Sequence, residues 1–268
     1  MTETPERVAR VAARVLELAE RWEPPTFAHV PNADAALFLC AVDHRSGYRG
    51  RYLVDGEGPF EGSALLWAVA LQAGRRQSGL LTAARLADAS ERDVAELFRI
   101  GGETVADPGR RAELWRDLAT GLARDYEGAA DALLAACERR LGGRAGLLDR
   151  LAMFAAYADP LAKKSQLFAK ICDRRGWFSP TDPEHWQVSA DNVLMRLALR
   201  SGLVEPGERE EVRARTRDAF ADVAEAAGMS PPLLDDLLWE LGRDDPDLLG
   251  TEGGALQEPP REPESTWY

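Results

Sequence analysis

Val8, Val11, Ala12, Val15, Leu18, Ala19 and Trp22 recur at the three- and four-residue spacing of one helix face, between a Thr4-Pro5 start and a Pro24-Pro25 stop. This predicts a first helix of about five turns. The stretch LFLCAVDHRSGYRGRYLVDG, residues 37–56, has two apolar runs flanking RSGYRG and predicts a β-hairpin, followed by a loop from Gly56 to Gly62. Beyond Gly62 the apolar positions keep a helical period. Helices are expected over SALLWAVALQA, over SERDVAELFRI with Ser90 as N-cap, and from Pro108 to Tyr126. Further helices are expected over AADALLAACERRL, AGLLDRLAMFAAY, the segment from 161, 191–201, 207–227 and Pro231 to Gly242. The pattern predicts a mostly α chain with a small N-terminal hairpin: a single helical domain over residues 1–243, open to division into two lobes, and a flexible tail over 244–268.

Charge narrows the partners. The 268 residues carry a formal net charge of −12. The tail supplies half of it, with seven acids against the single Arg261. A nucleic-acid binder ordinarily presents a basic face that displaces phosphate counterions, so extended duplex DNA is a disfavoured partner. Cys40, Cys137 and Cys172 are scattered, as are His29, His44 and His185, and neither set has metal-ligand spacing, so no metal or other cofactor is expected. No run of apolar residues is long enough for a membrane span, and the first helix is no leader, which together suggest a cytoplasmic protein.

One compositional feature stands out. All three lysines of the chain fall in LAKKSQLFAK, residues 161–170, while the other cations are arginines. At 100° per residue, Leu161, Phe168, Ile171 and Cys172 form one apolar wedge, and Lys164 lies inside it. Lys163, Gln166 and Lys170 fall on the opposite, polar face. Two readings compete for Lys164. It can snorkel along its methylene stem, or it can occupy a cleft where burial lowers its pKa, a shift arginine does not permit.

A second segment, ADNVLMRLALRSGLV (190–204), places Asp191 before a helix with an apolar face of Val193, Leu194, Leu197 and Ala198, and Gly202 at its end. Asp191 as N-cap and Gly202 as C-cap account for both residues structurally. The same segment resembles the aspartate-bearing helix of the helix-hairpin-helix base-excision glycosylase superfamily, approximately VDxxVxRxxxRxGLV; Asp191, Leu194, Arg196, Arg200, Gly202, Leu203 and Val204 match without a gap. AKKSQLFAKI is similar to the lysine helix of the archaeal 8-oxoguanine DNA glycosylase branch. SPPLLDDLLWELG resembles the C-terminal LD-x-x-x-W segment of that branch and of the queuosine-salvage N-glycosidase family, with Asp235 and Trp239 matching. PNADAALFLCA and GPFEGSALLWAVALQAG resemble two further segments of the salvage family.

The resemblance implies a DNA-glycosylase-like helical fold and cleavage of an N-glycosidic bond. Asp191 would stabilise the developing oxocarbenium ion or activate water; Lys163 or Lys164 would hold a 5′-phosphate or the leaving base, or attack C1′ in a lyase. Asp235, Trp239 and Phe38 would border the base, and Arg196 would assist a phosphate. The salvage family aligns on Lys163 and the glycosylase branch on Lys164. The superfamily's glycine hairpin, LPGVGxK, is absent, since ADPLAK precedes the lysines. Three functions follow: hydrolysis of a small nucleotide such as queuosine 5′-phosphate, excision of oxidised guanine from DNA, or a non-catalytic helical binding protein. Asp43 and His44, beside the expected hairpin turn, read as turn residues. The oligomeric state is not encoded in any of these motifs.

Overall fold

A computed structural model describes residues 3–260 and 265–267. The chain divides into two compact units. A terminal unit combines the chain up to Thr26 with the segment from Glu184 to Pro260, and a central unit spans Phe27–Pro183. Twelve α-helices and one two-stranded antiparallel sheet lie among the described residues. No described helix is long and apolar enough to cross a membrane.

In the central unit, α2 (Ala33–Val42) replaces the first strand of the expected hairpin. Its apolar run is continuous, which suits a buried helix as well as a buried strand. Asn32 decides between them by accepting the amide hydrogen of Ala35 at 2.9 Å as an N-cap. The true hairpin lies further on: β1 (Tyr52–Val54) pairs with β2 (Glu57–Phe60), with Tyr52 opposite Phe60 and Val54 opposite Glu57. Asp55 and Gly56 between them both have positive φ, 53° and 84°, the conformation a two-residue Asp-Gly turn requires. The region expected as a loop after Gly56 is therefore the second strand.

The remaining helices of this unit are α3 (Gly62–Arg76), α4 (Ala83–Leu86), α5 (Glu91–Leu97), α6 (Pro108–Asp125), α7 (Ala130–Ala136), α8 (Leu147–Leu151) and α9 (Lys163–Arg174). The Ser90 cap is present as a full capping box with Asp93. Helix α2 is the hub, apolar all round and buried from Ala35 to Val42. Its carbonyls are met by polar groups from three other elements. Trp115 Nε1 of α6 donates to Phe38 O at 2.7 Å. The Tyr157 hydroxyl, from a 3₁₀ turn at Ala155–Tyr157, donates to Leu37 O at 2.6 Å. Lys164 Nζ of α9 donates to Ala41 O at 2.6 Å. Arg111 of α6 donates to Val42 O and, at 2.8 Å, to His44 O. Lys164 and Arg111 thus cap the C-terminal end of α2, where carbonyls lack helical partners and the helix dipole favours cations.

The terminal unit comprises α1 (Glu3–Ala19), α10 (Asn192–Arg200), α11 (Arg209–Ala227) and α12 (Pro231–Asp244). Its core joins Val11 and Val15 of α1 to Leu194 and Leu197 of α10, Phe220 and Val223 of α11, and Leu234, Leu237 and Leu238 of α12. Helix α12 approaches α10 closely at Gly242, where a Cβ would come within 2.5 Å of Leu197 Cδ1. Beyond Asp244, where the sequence suggests a flexible tail, the chain packs onto this unit. Leu248 and Leu249 are buried, Gly253 N donates to Arg200 O at 2.8 Å, and Glu258 pairs with Arg196 and Arg200. Residues 261–264 and 268 of that segment lie outside the described residues.

Candidate functional site

Helix α9 begins at Lys163 without a side-chain cap from its own N-cap residue, Ala162, which sits in the left-handed region with φ 52°. The Asp159 carboxylate does the capping, accepting from Leu161 N at 3.0 Å and Lys163 N at 2.9 Å. Lys164 is fully buried, as its helical phase predicts. The expectation for the other face is corrected: Lys163, Gln166 and Lys170 are buried too. A helical wheel assigns polar residues to water, whereas here they meet protein.

The lysines gather at the C-terminal end of α2. Lys163 Nζ stands 3.7 Å from Asp43 Oδ2, and the Ser63 hydroxyl of α3 donates to Asp43 Oδ1 at 2.5 Å. Lys164 Nζ lies 3.3 Å from His44 Nδ1 as well as on Ala41 O. Asp43 and His44 are therefore not turn residues of a hairpin but members of a buried ionic cluster following α2. Burial, and next the Lys163 charge, lower the Lys164 pKa well below its ordinary value, with Asp43 opposing. Burial and the Arg111 guanidinium depress His44 so strongly that the ring is neutral at physiological pH. His44 Nε2 is buried and has no hydrogen-bond partner among the described residues. Arg111 falls to about 10, chiefly through burial, and stays protonated. The Cys40 thiol rises, again mainly through burial, and is no nucleophile. Lys163 keeps slight exposure and an ionic partner, whereas Lys164 is sealed and engaged by a carbonyl and an imidazole.

The other candidates lie in the terminal unit. Asp191 is the N-cap of α10, its Oδ1 accepting from Val193 N at 2.9 Å and Leu194 N at 3.1 Å. Both amides belong to the first turn of α10, whose N–H groups have no partner within the helix. Asp235 is buried on α12 and accepts the Ser189 amide hydrogen at 2.6 Å. Trp239 is half-buried against the core, with the Arg243 guanidinium 5.4 Å from its ring centroid. Arg196 is ion-paired with Glu258 at 2.8 Å. Phe38, in the central unit, is fully buried in α2.

The structure thus groups Lys163 and Lys164 with Asp43, His44, Ser63 and Arg111 in the central unit, and Asp191 with Asp235 and Arg213 in the terminal unit. Arg213 of α11 is fully buried, and its Nε donates to Ala190 O at 3.1 Å. Sequence reasoning passed over Arg111 and Arg213 because arginine at helical spacing normally marks a solvated face. Among the described residues no group of three His, Cys, Asp or Glu side chains is placed to hold a metal ion. A surface groove of about 430 Å³ elsewhere on the central unit, lined by Arg116, Thr120, Arg124 and Met153 among others, contains none of the candidate residues. No family model and no curated protein matches the chain, so a functional reading has to stand on its own residues.

Proposed function

We propose that the protein is a metal-independent N-glycosidase acting on a small nucleotide, most like the hydrolysis of queuosine 5′-phosphate to queuine and ribose 5-phosphate. The observation that carries this reading is the lysine cluster. Every lysine of the chain is buried on one helix, and two of them face a carboxylate and a neutral imidazole. Burying ammonium groups costs several kcal/mol each unless their partners are nearly ideal. Such an arrangement is commoner where chemistry requires it than where packing alone decides. The resemblance of the Asp191 segment to the glycosylase aspartate helix supplies the reaction class.

In this reading the C1′–N bond of the nucleotide breaks, a water oxygen bonds to C1′, and the proton that water releases passes by way of the carboxylate and solvent to the nitrogen of the departing base. Positive charge grows on the sugar as the bond lengthens. A pre-oriented carboxylate such as Asp191 stabilises that charge without having to reorganise, and it accepts the proton of the attacking water. The resemblance that supplies the reaction class assigns the 5′-phosphate to a lysine at 163 or 164, of which Lys163 is the one that retains slight exposure. The net charge of −12 favours a small substrate over a long polyanion.

A lyase reading draws on the similarity of AKKSQLFAKI to the lysine helix of the 8-oxoguanine DNA glycosylase branch, in which the amine would attack C1′ as a Schiff-base nucleophile. Base release from queuosine 5′-monophosphate and from an 8-oxoguanine duplex, with and without borohydride, separates the two. Hydrolysis of the nucleotide with no trapped adduct is expected. An adduct on DNA that is lost in Lys164→Gln but kept in Lys163→Gln would replace the hydrolase by the lyase.

A further inference from the structure

We infer that Asp235 and Arg213 are positioning residues for Asp191, and that Asp235 acts on the backbone before α10 rather than on the base; the inference rests on the N-glycosidase reading for its kinetic consequence. Three consecutive residues are each fixed by a different helix. The Ser189 amide donates to Asp235 Oδ1 of α12 at 2.6 Å, the Ala190 carbonyl accepts from Arg213 Nε of α11 at 3.1 Å, and Asp191 Oδ1 accepts from the first amides of α10. Asp235 and Arg213 are both buried, and Val188, Ser189 and Ala190 are buried with them.

An N-cap by itself requires none of this. Capping asks only for an extended backbone and a side-chain oxygen at the helix start, which Asp191 provides with φ −111° and ψ −170°. Arg213 is also paired with Glu210 at 3.6 Å, and burying a guanidinium and a carboxylate against the two preceding peptide groups is costly on stability grounds. The backbone that leads into Asp191 is thereby tied at two successive peptide groups. Arg209, one turn before Arg213, adds a further tie by donating to Asn192 Oδ1 at 2.6 Å, immediately after Asp191. A carboxylate that acts electrostatically needs such fixation, because a displacement of about 1 Å costs on the order of a hundredfold in rate.

The test uses pairs of variants of the full chain. Asp235→Leu removes the acceptor and Asp235→Asn returns a neutral one; Arg213→Met removes the donor and Arg213→Lys returns one. Asp235→Leu and Arg213→Met are expected to lower kcat for base release roughly tenfold to a hundredfold with KM within about threefold. The Asn and Lys variants should recover most of kcat. A raised KM in Asp235→Asn, with loss as large as in Asp235→Leu, would place Asp235 on the substrate and overturn the inference, as would unchanged kcat in both disruptive variants. Hydrogen exchange at Val193 and Leu194, normalised within each variant to the core amide of Phe220, is independent of activity. It should speed up about tenfold in the disruptive variants, because the cap is released locally. Absence of base release in the wild type would refute the N-glycosidase reading alone, while unchanged exchange at both amides would refute the positioning role whatever the activity.

Discussion

His44 offers a thermodynamic test of the buried cluster that requires no substrate. Its ring is buried beside Lys164 and Arg111, and its pKa is lowered by burial first and by the Arg111 charge second, from an ordinary value of 6.5. A base whose folded pKa is depressed binds fewer protons in the native state than in the unfolded chain at every pH between the two values. His44 is therefore silent above about pH 6.5 and increasingly destabilising below it, the opposite of a histidine that gains an anionic partner. Each pH unit in that window costs about 1.4 kcal/mol, so between about pH 7.5 and 5.5 His44 should remove roughly 1.4 kcal/mol of stability. His44→Asn keeps a hydrogen-bonding atom near the position of Nδ1 for Lys164 and eliminates the titration. Urea unfolding of both proteins across this range should give curves that run parallel above pH 6.5 and separate below it, with the variant losing less. Other acid-sensitive groups, including the half-buried His29, are common to both proteins and cancel in the difference. Parallel curves down to pH 5.5 would show that His44 takes up its proton freely, and the account of a sealed cationic cluster would fail.

Other perturbations read the packing and the lysines. Tyr157→Phe removes the hydroxyl from Leu37 O in a buried setting and should cost about 1–2 kcal/mol in urea unfolding. Gly242→Ala drives a Cβ to 2.5 Å from Leu197 at the α10–α12 contact and should destabilise by about 1–3 kcal/mol. A neutral effect would mean that the helices separate without penalty. Lys163→Gln should raise KM for a 5′-phosphorylated substrate more than for its nucleoside, since it removes a charge assigned to the phosphate; equal effects on both would detach Lys163 from that role.

Some of this architecture is legible in the residues alone, for physical reasons. Helices such as α1, α6 and α11 expose one face and bury the other, so their period survives in the sequence. The Asp191 and Ser90 caps are local chemistry and are readable for the same reason. Helix α2 is buried all round and has no period to read; its LFLCAV run is compatible with strand or helix, and only the Asn32 cap and the later Asp55-Gly56 turn separate them. The phase of Lys164 is visible, but the burial of Lys163 and Lys170 is not, because it depends on tertiary packing around α9 rather than on its own pattern. Arg111 and Arg213 are hidden more deeply: each is an ordinary-looking arginine on an amphipathic helix, and its role appears only when the carbonyls it serves, from Val42 and Ala190, are brought to it by distant chain segments. The packing of α1 against α11 likewise joins residues about three quarters of the chain apart, which no local pattern records.

The most direct measurement of the central claim is base release from queuosine 5′-monophosphate by the wild type and by Asp191→Asn. Asparagine is as good an N-cap as aspartate, so the variant should keep its thermal midpoint while losing the charge. The account predicts turnover by the wild type and a loss of at least about a hundredfold in kcat in the variant. Turnover unaffected by the substitution, or no base release by the wild type, would contradict it.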